Sequence, residues 1–134
     1  MGIRYEKDTI LNWVNEMGKF LRLLVEKWEG LAQVGESENK QDQTAEAGYK
    51  EFFGEDKTFF ATVSEAELMA FLQGLDPKQI RPLALVLMYD GFLNQDPELL
   101  KRAKFVFDAN SRLSGAFSFE DYKHLAAITA ALKQ

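Results

Sequence analysis

Between Asp8 and Val34, apolar side chains recur at alternating intervals of four and three: Ile10, Val14, Met17, Leu21, Leu24, Trp28 and Leu31. That period puts them on one face of a helix. Leu11, Trp13, Phe20 and Val25 widen the stripe beyond a coiled-coil seam, so the helix is expected to pack against several neighbours. Asp8 can accept a backbone N–H of the first turn, which suits an N-cap. Gly30 and Gly35 mark possible ends.

The pattern then breaks. Gly35 to Thr44 (GESENKQDQT) is polar and reads as a connecting insertion at about residues 35–44. A second helix is predicted over Gln43 to Phe53, burying Ala45, Tyr49, Phe52 and Phe53, with Gly54 as its stop. Ser64 and Glu67 have capping-box spacing and open a third helix through Leu68, Phe71, Leu72 and Leu75. Asp76-Pro77 reads as a turn, and Pro82 as the opening of a fourth helix that runs to about Asn94 through Leu83, Val86, Leu87 and Tyr89. Asp96-Pro97 caps a fifth, with Leu99, Leu100, Ala103, Val106 and Phe107 inside. Ser114-Gly115 ends it. Ser118 with Asp121 resembles another capping box, before a last helix carrying Tyr122, Leu125, Ala126, Ile128 and Leu132. Phe59 to Val63 is the one short stretch with extended character, and a lone strand would leave its backbone groups unpaired. The chain therefore reads as one all-α domain over residues 1–134, a compact bundle of five to six helices built from antiparallel hairpins.

The fourth and fifth helices carry a spacing of their own. Gly91 precedes Ala103 by twelve residues and Phe107 follows four later. This resembles the tetratricopeptide repeat, in which small residues let paired helices approach and an aromatic fills the space beside them. Leu87 also matches, whereas Asp90 and Asn94 stand where leucine and tyrosine would be expected. A weaker copy lies upstream: Gly18 takes the role of Gly91, and Ala45 and Tyr49 the roles of Ala103 and Phe107. The segments DTILNWVNEMGKFLRLLV, AGYKEFFGED, TVSEAELMAFL and SFEDYKHLAAI, in that order, resemble an uncharacterised family of short bacterial helical proteins with tetratricopeptide-like character. The resemblance implies a compact helical fold and no activity, substrate or catalytic residue.

Composition narrows the function. The net charge is −5. Gly35 to Thr58 holds seven acidic and three basic residues, a net of −4, so most of the imbalance sits in one segment. With no basic stripe elsewhere, nucleic acid is not an expected partner. No apolar run reaches about 18 residues, so no membrane span is expected. A polar start, Met1 to Asp8, lacks the apolar stretch of a signal peptide, and a cytoplasmic protein is expected. The absence of cysteine removes thiol nucleophiles and thiolate metal sites.

Little is left to carry chemistry. Phe107 to Tyr122 (FDANSRLSGAFSFEDY) has the outline of a degenerate calcium loop at 108–121. Asp108 and Asn110 stand at ligand positions, Gly115 at the turn, Phe117 at the apolar position and Asp121 at the close. Against it, the loop is two residues too long, Arg112 occupies an oxygen-ligand position, and aspartate replaces the reach of glutamate. A helix end, a serine-glycine turn and a new cap explain the same residues. His124, the sole histidine, has no partner for a zinc site and reads as structural. Glu36, Glu38, Asp42 and Glu46 fit a solvated loop better than a chelating cluster.

Eleven phenylalanines, four tyrosines and two tryptophans are many for 134 residues, and most are expected to fill the core. Neighbours on a helix point about 100° apart, so one member of each of the pairs Phe52-Phe53 and Phe59-Phe60 is a candidate for an interaction surface, the alternative being that both are buried beneath a neighbouring loop. The expectation is a non-enzymatic interaction module, with a protein partner or a second copy as its target and no cofactor or metal. A calcium binder and an enzyme of unrecognised class are the alternatives.

Overall fold

The computed structural model describes residues 7–34, 42–115 and 118–133. Seven α-helices and no strand are found among them: α1 (Lys7–Val34), α2 (Glu46–Phe53), α3 (Lys57–Thr62), α4 (Glu65–Gln73), α5 (Pro77–Leu93), α6 (Pro97–Ser114) and α7 (Phe119–Leu132). The all-α bundle follows from the apolar periodicity, with one helix more than the spacing suggested. The added element is α3. Asp56 accepts the Phe59 N–H at 2.9 Å and caps it, which turns the stretch expected to be extended into a helix.

Cap chemistry moved other boundaries too. Asp76 accepts the Lys78 N–H at 2.9 Å, while Gln79 Oε1 accepts the Asp76 N–H at 3.0 Å. This reciprocal box starts α5 at Pro77, so Pro82 lies inside the helix rather than opening it. At Ser64 only half of the anticipated box forms: its oxygen accepts the Glu67 N–H at 3.1 Å, and the Glu67 carboxylate takes the serine hydroxyl instead. Ser118 caps α7 through the Glu120 N–H at 3.2 Å, and Asp121 is turned elsewhere. Helix α1 includes Lys7, so Asp8 sits inside it rather than at a cap, and the helix runs through Gly30. Gly54 and Gly115 end α2 and α6 in the left-handed conformation, at φ of 79° and 70°. Of the 35–44 insertion, residues 35–41 lie outside the described part, as does Phe117.

The core lies around the α5–α6 hairpin, with α1 packed on α5 and α7 on α6. Leu83, Ala84, Val86, Leu87, Leu99, Ala103 and Val106 are fully buried between them. At Gly91 an added methyl would lie 2.8 Å from Leu100 Cδ2 and 3.2 Å from its backbone nitrogen, so the helices meet backbone to backbone there. Ala103 and Phe107 are buried along the same hairpin. The upstream copy is built differently. Gly18 faces open space; the close approach is made by Gly48 of α2, where an added methyl would run into the Phe20 ring.

Helices α2, α3 and α4 close the other end with aromatic rings. Phe52 meets Trp13 and Phe20, with centroids 5.8 and 5.4 Å away, while Phe53 meets Trp13 and Phe60. Phe59 and Phe60 contact each other and Phe71. Trp13 also donates its indole N–H to the Phe52 carbonyl at 3.1 Å.

Candidate functional site

The residues nominated as an interaction surface belong to the interior. Phe52, Phe53 and Phe60 are buried, and Phe59 is half-buried against the core. Adjacent rings of α2 both turn inward because contacts reach this helix from both α1 and α3, so two directions 100° apart lead into the core.

The calcium-loop outline also dissolves. Helix α6 continues through Ser114, placing Asp108, Asn110 and Arg112 on a helix rather than on a chelating loop. Asp121 is committed to Arg81, whose Nε donates to its two oxygens at 2.9 and 3.2 Å and whose Nη2 lies 2.9 Å from Oδ1. No group of three or more His, Cys, Asp or Glu side chains suited to a metal ion occurs among the described residues.

Two polar clusters remain, one at each end of α5. At its C-terminal end, Asp90 is buried and collects donors from α2, from α3 and from the residue that caps α5. The Tyr49 hydroxyl donates to Oδ2 at 2.7 Å, Asn94 Nδ2 donates to Oδ1 at 2.6 Å, and Lys57 Nζ lies 3.4 Å from both oxygens. Asn94 turns its remaining capacity to the chain entering α2, accepting the Asp42 N–H at 2.6 Å and donating to the Asp42 carbonyl at 2.9 Å. Burial, and then the Asp90 charge, push the Tyr49 phenol well above its ordinary value, which keeps it a donor. Asp90 and Asn94, whose types do not fit the repeat spacing read from the sequence, are both used in this network. It is enclosed and its partners are satisfied, so it organises the fold.

The second cluster, at the N-terminal end of α5, begins a more open face that runs along the helix from Arg81 to Phe92. Most of this helix is buried all round, but Arg81, Leu85, Tyr89 and Phe92 stay half-exposed at intervals of four, four and three. Such spacing lines them up on one face. Trp28 of α1 stacks on Phe92 with centroids 5.2 Å apart and planes 20° apart. From α7, Asp121 reaches Arg81, and His124 stacks on Phe107 at 5.7 Å. Tyr89 is raised above its ordinary value by burial first, then by the carboxylates of Glu29 on α1 and Glu120 on α7, with Arg81 opposing. Three helices therefore contribute to one surface floored by aromatic rings. His124 is shifted down by burial and by Arg81, against the pull of Asp121 and Glu120.

Further along α7 only Asp121 and Ile128 are buried. Phe119 and Tyr122, 78% and 64% exposed, touch each other edge to face. Of the residues that the sequence places on this helix, Ile128 is thus buried while Tyr122 lies on the exposed side. Sequence reasoning passed over the α5 stripe because α5 is apolar on every side, and periodicity cannot separate a covered face from an uncovered one. The Arg81-Leu85-Tyr89-Phe92 spacing, mixing charge with aromatics, was the available signal. No helix among the described residues is long and apolar enough to cross a membrane. The chain matches no family model, no curated protein and no solved structure.

Proposed function

We propose that this chain is a non-enzymatic, tetratricopeptide-like interaction module of the cytoplasm that holds a protein segment on the face formed by α1, α5 and α7. The observation that carries the reading is the half-exposed stripe Arg81, Leu85, Tyr89 and Phe92 on a helix whose other faces are buried. Aromatic side chains rooted in a rigid helix supply contact area at little conformational cost, which is what a recognition surface needs. The exposed rings of Phe119 and Tyr122 add apolar surface on the neighbouring helix.

Site-specific photo-crosslinking tests it. With benzoylphenylalanine replacing Tyr89, discrete protein adducts are expected in cells. The same group at Lys104, exposed on α6, should give none of them. Identical adducts from both positions, or none from position 89, would overturn the proposal.

A further inference from the structure

We infer that the outward side of α7 is where two copies of this chain meet, helix against helix and antiparallel. The inference shares the rings of Phe119 and Tyr122 with the face proposed above but does not need the α5 stripe. Helix α7 (FEDYKHLAAITAAL) carries apolar side chains on every side, as α5 does. A helix of that kind is ordinarily covered on every side, and α5 largely is. In α7 only Asp121 and Ile128 are buried, on the side turned to the bundle. The opposite side carries Phe119, Tyr122, Ala126, Ala130 and Lys133, all exposed. Their intervals of three, four, four and three align them on one face. The series reads the same in both directions from Ala126, so a two-fold axis at that residue sets each member against a defined residue of the second copy. Tyr122 then lies opposite Ala130 of the second copy, and Phe119 opposite its Lys133. Each ring meets a small or slender side chain, and the lysine ammonium gains an aromatic face, which attracts cations. Ala126 meets Ala126, which lets the two helices approach closely. Parallel pairing would instead set ring on ring and lysine on lysine. The face therefore complements itself in the antiparallel sense, as a two-fold dimer requires. A single 14-residue helix against its copy is a small contact, so the dimer is reversible, with a Kd on the order of 100 µM.

Sedimentation equilibrium of the full chain, from about 10 µM to about 1 mM, tests the inference and should show monomer and dimer in exchange. Tyr122→Ala removes the ring and Ala130→Tyr sets ring against ring, so each should raise the dimer Kd about tenfold. The double variant, Tyr122→Ala with Ala130→Tyr, again places a ring opposite an alanine across the axis. Its Kd should return to within about threefold of the parent, because the two positions act as a pair. Both positions are exposed, so the helical circular dichroism of the parent should be kept. A chain that stays monomeric throughout, a dimer indifferent to either single variant, or losses that add in the double variant would overturn the inference. Discrete adducts from position 89 in cells, alongside a strict monomer, would remove the dimer and leave the α5 face standing.

Discussion

The two ends of α5 hold their carboxylates in contrasting ways. Asp90 is reached by Tyr49, Lys57 and Asn94, from α2, from α3 and from just past the end of α5, in an interior sealed by the helix packing around Gly91. Asp121 is reached by one side chain, Arg81, itself one-third exposed, and it is one of only two buried residues in α7. At the first end a polar group is affordable because every hydrogen bond is made inside. At the second, a single ion pair and the His124–Phe107 stack tie down a helix with little apolar cover. The lesson is that a buried carboxylate is informative through its number of partners: the many-partner site holds the fold, and the single-partner site borders the open surface.

That contrast breaks if Asp90→Ala is mild. It should cost about 3–5 kcal/mol in denaturant unfolding, because Tyr49 and Asn94 lose a buried acceptor and Lys57 its counter-charge. Gly91→Ala should follow at about 1–3 kcal/mol, since the new methyl meets Leu100 and its backbone nitrogen. Asp121→Ala should cost about 1–2 kcal/mol, with faster amide exchange confined to α7. Losses spread over α2 and α3 would deny that this end is separate. Tyr49→Phe should cost about 1 kcal/mol, because Asp90 keeps its other donors.

The smallest effect concerns pH. His124 is held below its ordinary value of 6.5, so the folded state binds its proton more weakly than the unfolded chain does. Its contribution is complete above 6.5 and is lost as pH falls from there through the lowered folded value. Amide exchange in α7 should rise over that window, and His124→Phe should remove the dependence.

Much of this architecture was legible before any coordinates. The stripe from Ile10 to Trp28 predicts α1; Asp96-Pro97 and Gly115 bound α6; and the Gly91, Ala103 and Phe107 spacing points to the tight hairpin. These succeed because period, caps and left-handed glycines are local properties of the backbone. Helix α3 was missed because a six-residue helix has too few positions to show a period, and only Asp56 signalled it.

What local chemistry left open was direction. Tyr122 and Phe53 are equally aromatic, yet one is exposed and the other enclosed, because contacts reach α2 from two sides while α7 packs mainly on one helix. Asp90 and Asp121 are the same residue type on helices, and only the neighbours brought to them from 40 or 41 positions away separate a hub from a tether. By itself, the amino-acid order determined which segments coil and where they stop, since those depend on contacts within a few residues. Which side of each helix is left for a partner was decided only when the helices packed, because exposure is a property of what lies opposite.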